Sequence, residues 1–98
     1  MQPGGGEGAR CVAEVPIRNR RGLHARAAAL FAKTAQGFAC EIRVRRADLV
    51  VDGTSIMDLM MLGAGPGAIL LIETEGDDAV AALEALRALV EAGFHEQG

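Results

Sequence analysis

The hydrophobic pattern of this chain changes period repeatedly within a short length, which limits it to one small mixed domain. Between Cys11 and Ile17, residues Ala13, Val15 and Ile17 fall on one side, the period of two that marks a strand. Pro16 lies in this run and has no N–H for a ladder, so the strand belongs at a sheet edge or ends there. Asn19, Arg20, Arg21 and Gly22 form a polar turn. The period then becomes helical from Ala25 to Gln36: the stretch is rich in Ala, has no internal Gly or Pro, and is followed by Gly37. Ala28, Phe31, Ala32 and Ala35 make its buried stripe. Glu41 to Arg46 alternates again with Ile42 and Val44 inside, and a short strand around Leu49 to Val51 ends at the Asp52-Gly53 turn. Ser55 to Leu62 predicts a short helix with Ser55 as N-cap, Asp58 at N3, and Leu59 and Leu62 inward. Ala68 to Glu73, with its Ile-Leu-Leu-Ile run, suits a central strand. Asp77 and Asp78 favour the start of a last helix reaching about Ala92, with Ala82, Leu83, Leu86 and Val90 inward. The order β-α-β-β-α-β-α predicts a two-layer α/β sandwich with one open sheet face covered by helices.

The 98 residues suffice for one domain, expected at 11–94. Residues 1–10 hold four Gly and little that is apolar, so a disordered tail is expected there. Ten Lys and Arg against thirteen Asp and Glu give a net charge of −3, which disfavours nucleic acid and anionic membranes as partners. The absence of Trp and Tyr argues further against an aromatic nucleic-acid platform. No apolar run reaches the ~18 residues of a membrane span, and no secretory h-region opens the chain. Cys11 and Cys40 make no C-x-x-C pair and are expected to be buried or half-buried thiols on strands. A cytoplasmic protein with no metal and no cofactor is expected. Gly63 to Gly67 is Gly-rich, but it follows a helix and lacks a Lys-Ser or Lys-Thr, so it reads as a turn and not a P-loop. His95 reads as a solvated tail residue.

The segment Gly22-Leu23-His24-Ala25-Arg26 sits where a turn meets the first helix. A helix start offers free N–H groups and partial positive charge, a ready site for an anion. A phosphate on His24 would meet the N–H groups of Ala25 and Arg26, and the Arg26 guanidinium adds charge-assisted hydrogen bonds. The same positive end favours neutral imidazole, the nucleophilic form.

The segment Gly22 to Ala28 resembles the phosphorylation-site motif of HPr, the histidine phosphocarrier of the phosphoenolpyruvate-dependent phosphotransferase system. Gly37-Phe38, Ser55-Ile56-Met57, Leu62-Gly63 and Glu75-Gly76 extend the resemblance over Cys11 to Val90. Nitrogen-type and alpha-proteobacterial members are the variants it resembles most. The resemblance implies a carrier and not a catalyst: His24 takes phosphate on Nδ1 from phosphorylated enzyme I and passes it to a IIA protein or domain, with Arg26 steadying it. It also implies an α+β two-layer open-faced sandwich, a four-stranded antiparallel sheet in the order 1-4-2-3 covered by three helices. Ser55, an N-cap in its own right, resembles the serine modified by HPr kinase/phosphorylase. The alternative is a docking module whose phosphorylation signals carbon or nitrogen status without sugar transport. Ala27 stands where the family often has Pro, which leaves helix formation intact but bears on the site's rigidity.

Ile56, Met57 and Met60 point away from Leu59 and Leu62. They form either a partly covered core edge or an exposed apolar patch, and the resemblance implies the patch, as a docking face beside His24. Ala29 and Leu30 extend it, and Arg20 and Arg21 supply a rim that steers acidic partners. A monomer is expected.

Overall fold

The computed structural model describes residues 9–96. Strand β1 spans Arg10–Pro16, helix α1 Ala25–Gln36, β2 Cys40–Arg46 and β3 Leu49–Asp52; α2 spans Ile56–Met61, β4 Ile69–Gly76 and α3 Ala79–Glu91, before a 3-10 turn at Gly93–His95. The four strands form one antiparallel sheet in the order β1-β4-β2-β3. The expected α+β open-faced sandwich is what the chain forms.

Pro16 occupies the edge as its chemistry requires. β1 pairs only with β4, where Pro16 lies opposite Ile69. The next residue, Ile17, turns its N–H towards the sheet and donates to Ala68 O at 2.9 Å. Strand alternation therefore points the Pro16 nitrogen away from β4, where a missing donor costs nothing. β4, the Ile-Leu-Leu-Ile segment, is flanked by β1 and β2, as a run without polar alternation suits.

The core lies between one sheet face and the helices. Val15, Ile42, Val44, Leu70 and Ile72 meet Phe31 of α1, Leu59 of α2, and Leu86 and Val90 of α3, all at most 2% exposed. Burying each large apolar side chain contributes about 1.5–3 kcal/mol, so these contacts are what fix the helices to the sheet. Ala27, Ala28, Ala32 and Ala35 let α1 lie close to the sheet.

The opposite face is charged. The Arg43 guanidinium meets Glu41 at 2.9 Å, Glu73 at 3.3 Å and Glu75 at 3.4 Å, and Arg10 reaches Glu73 at 3.4 Å. Burial pushes the Glu73 carboxyl up, but Arg43 and Arg10 outweigh it and hold it below the ordinary carboxylate range.

Several expectations shift at their margins. β1 begins at Arg10, so the expected tail overlaps the sheet at its last residue, and residues 1–8 of that tail lie outside the described residues. β4 continues to Gly76, because Glu73 and Glu75 point to the charged face while Thr74, fully buried, donates from Oγ1 to Ala79 O at 2.7 Å. Asp78 does not cap α3 through its side chain; it accepts the Ala39 N–H at 2.7 Å and ties α3's start to β2's entry. Leu83 is only partly buried, whereas Ala79 and Leu89 are buried on α3. Cys11 and Cys40 are half-buried free thiols, as expected.

Candidate functional site

Three segments meet at the N-terminal end of α1: the turn before it, the 63–67 loop and the end of the chain. Gly22 has φ 68°, and a Cβ built on it would lie 2.5 Å from Ala64 O and 2.8 Å from Gly65 Cα. Only glycine fits that approach. It allows Leu23 N–H to donate to Ala64 O at 2.9 Å, so the 63–67 loop holds the turn that carries His24. The sequence showed this loop only as a turn.

His24 is the N-cap of α1, in extended conformation (φ −79°, ψ −179°), and its side chain makes no cap hydrogen bond. The first helical bond runs from Ala28 N–H to His24 O at 2.8 Å. The N–H groups of Ala25, Arg26 and Ala27 therefore precede the helical ladder, and no acidic side chain occupies the first turn. Ala25 and Arg26 are exposed, while Ala27 is buried. Ala at position 27 forms the first turn without proline's constraint and packs against the core.

The imidazole itself is partnered. Its Nε2 contacts the Glu96 carboxylate, whose other oxygen accepts from Asn19 Nδ2 at 3.0 Å. The second Asn19 amide proton goes to Gly22 O at 2.8 Å. His24 and Glu96 side chains are 15% and 20% exposed, so the pair is shielded but reachable. The hydrogen bond from His24, then that from Asn19, hold the Glu96 carboxyl below the ordinary range, with the Arg21 charge adding to them. Neither Glu96 nor Asn19 stood out in the sequence. The one signal was Phe94, an apolar residue in a polar tail; it is 2% exposed and anchors the chain end against the core.

Beside the site, Ile56, Met57, Met60 and Met61 on α2 are 42%, 77%, 45% and 67% exposed, and this resolves the alternative in favour of an apolar patch. Met61 joins it unforeseen. Ala29 and Leu30 contribute less than expected: both are half-buried, and Leu30 packs on the core. Arg20 and Arg21 are exposed at the rim.

Ser55 caps α2, its Oγ accepting from Asp58 N–H at 3.2 Å. The Asp58 side chain makes no return bond to Ser55 N–H of the kind that completes a capping box. The Asp58 carboxylate accepts from Asp52 N–H at 3.4 Å, while Ser55 N–H donates to Asp52 O at 3.2 Å. His95 is exposed, as expected, although it lies within the 3-10 turn. Among the described residues, no cluster of three or more His, Cys, Asp or Glu is arranged to hold a metal, and no helix is long and apolar enough to cross a membrane.

Residues 12–92 match the family model described as the PTS HPr component phosphorylation site. The phosphocarrier protein HPr of Pseudomonas aeruginosa is 48% identical over 84 residues, covering 85% of this chain and 93% of that one. HPr of Neisseria meningitidis is 44% identical over 82 residues, covering 84% and 92%. A crystal structure of HPr from Thermoanaerobacter tengcongensis superposes with a TM-score of 0.86 at 40% identity, covering 90% of this chain and 99% of that one. With the sheet order, the helix-capping histidine and these matches in agreement, the chain belongs to the HPr family of phosphocarrier proteins of the phosphotransferase system.

Proposed function

We propose that His24 is the phosphoacceptor, taking the phosphoryl group on Nδ1 from phosphorylated enzyme I and delivering it to a IIA protein or domain. The observation that supports this reading is the position of His24 as the N-cap residue of α1, directly before the N–H groups of Ala25, Arg26 and Ala27 that precede the helical ladder. Those donors and the helix dipole stabilise a dianion where it would form, without reorganisation of the backbone. Arg26, exposed two residues on, supplies a guanidinium for the phosphate oxygens.

The exposed α2 methionines fit a carrier that docks on a donor and then on an acceptor of different shape, because thioether side chains adapt to several surfaces. Arg20 and Arg21 at the rim favour acidic partner faces. The protein acts as a cytoplasmic monomer. Ser55 is a second, regulatory position for HPr kinase/phosphorylase. Its phosphate would gain from the dipole of α2 but stand near Asp52 and Asp58, so the added charge loosens the cap and perturbs the docking face.

The test is a chase. Protein phosphorylated by enzyme I and phosphoenolpyruvate is purified and mixed with a IIA domain. The label is expected to move to the IIA domain from wild type, and His24→Ala is expected to stay unlabelled while remaining folded. Labelling of His24→Ala, or a label on wild type that no IIA domain accepts, overturns the carrier reading and leaves the docking module as the alternative.

A further inference from the structure

After α3 the chain takes an unusual path. Gly93, Phe94 and His95 all adopt left-handed backbone conformations, with φ of 64°, 56° and 62°. Glycine does this freely, but Phe and His do not, and such residues persist where the surroundings impose them. Here the burial of Phe94 and two hydrogen bonds impose them: His95 N–H to Ala92 O and Glu96 N–H to Gly93 O, both at 3.1 Å. The result is a corner that turns the chain back onto the turn before α1 and sets Glu96 against His24 and Asn19.

Asn19 is built into the same corner. It is 5% exposed and spends both amide protons, one on Gly22 O and one on Glu96. Its Oδ1 is buried with no partner among the described residues. A buried acceptor left unsatisfied is costly, and here it accompanies an orientation in which both donors are used.

We propose that Glu96 is a positioning residue for phosphoryl transfer: tethered by Asn19, its carboxylate fixes the imidazole proton of His24 on Nε2. The proposal rests on His24 being the phosphoacceptor. An ionised carboxylate only accepts hydrogen bonds, so the nitrogen it touches must carry the proton. A neutral imidazole with Nε2–H has its lone pair on Nδ1, the atom left for the incoming phosphorus. In the transfer step that lone pair forms the new N–P bond as the bond between phosphorus and the donor atom of phosphorylated enzyme I breaks, and the donor atom keeps the bonding electron pair. No proton has to leave His24. The ring gains positive charge with Nε2–H in place, and the Glu96 carboxylate offsets it, as a buried carboxylate does for a catalytic imidazolium.

The deciding variant is Glu96→Gln. Glutamine has one acceptor oxygen where the site presents two donors, Asn19 Nδ2 and His24 Nε2, so one bond is lost with little change in shape. The first measurement is the ¹⁵N shifts of the His24 ring at a pH where it is neutral. Wild type is expected to show a pyrrole-like Nε2 and a pyridine-like Nδ1, and Glu96→Gln a mixture of both tautomers. The second is kcat/KM for phosphorylation by phospho-enzyme I, measured at a temperature where both proteins are folded and expected to fall about tenfold, the fold-change that loss of a charge-assisted hydrogen bond gives. Asn19→Asp, which replaces the tethering donor by a like charge, is expected to shift the tautomers in the same direction. A wild-type ring spectrum and a rate within twofold of wild type in Glu96→Gln overturn the proposal. Wild-type protein that takes no acid-labile phosphate overturns the carrier reading instead, and the ring spectrum then still shows whether Glu96 holds Nε2–H.

Discussion

Replacing Gly22 by Ala tests whether the 63–67 loop is what holds the His24 turn in place. The new Cβ would lie 2.5 Å from Ala64 O and 2.8 Å from Gly65 Cα, both backbone atoms that no side-chain rotation can clear. Holding an L-residue at φ 68° costs about 1–2 kcal/mol. Forcing apart a packed contact costs about 1–3 kcal/mol more. The sum, ~2–5 kcal/mol, is a large part of the roughly 5–15 kcal/mol that stabilises a domain. Gly63 provides the control: it has φ 60° but nothing within 4 Å of its Cβ position, so Gly63→Ala carries the conformational cost alone. Urea unfolding of both variants isolates the steric part as their difference. Gly22→Ala should also slow phosphorylation of the folded fraction, because Leu23 N–H and Ala64 O can no longer meet at 2.9 Å. Equal destabilisation in the two variants, with an unchanged phosphorylation rate in Gly22→Ala, refutes the reasoning.

Other variants probe the remaining parts. Arg26→Ala should lower kcat/KM for phosphorylation by about 10–100-fold at unchanged stability, since Arg26 is exposed and its charge-assisted bonds form only with the phosphate; a wild-type rate contradicts its role. Met57→Glu, at a side chain 77% exposed, should leave the unfolding midpoint unchanged and raise KM for enzyme I about tenfold; an unchanged KM removes α2 from the docking face. The carboxyls of Glu96 and Glu73 are both held below the ordinary range, Glu96 first by the His24 hydrogen bond, Glu73 by Arg43 and Arg10 against the upward push of burial. A depressed folded-state pKa contributes stability that is present above the unfolded value, about 4.3, and is lost as pH falls through the folded value. Urea midpoints should therefore drop below about pH 4, and Glu73→Gln should flatten that drop; an identical acid profile in Glu73→Gln counts against the charged face as its source.

The parts of the fold legible in the sequence are those fixed by local rules. The alternation of Ala13, Val15 and Ile17, the Ala stripe of α1 and the Ser55 cap each act within a few residues. Pro16 placed its strand at an edge through a missing donor alone. His24 was singled out as a candidate too: the helix start offers an anion site by local rules, and the resemblance of Gly22 to Ala28 to the HPr motif turned that weak local signal into an expectation. The clamp on His24 was not. Glu96 lies 72 residues away in sequence and carries no periodic signal, and it arrives through backbone conformations that Phe94 and His95 rarely adopt. Asp78 was placed correctly at the start of α3, but the partner of its carboxylate was not legible, because Ala39 lies 39 positions away. Gly22 was read as a turn residue, but the atom that requires glycine there belongs to Ala64.

The most direct test of the central claim is intact mass after incubation with enzyme I, magnesium and phosphoenolpyruvate, repeated after mild acid. Phosphohistidine is acid-labile and phosphoserine is not. One added phosphate that acid removes, absent from His24→Ala, is the predicted result. An acid-stable phosphate, or an acid-labile one that persists in His24→Ala, contradicts the account.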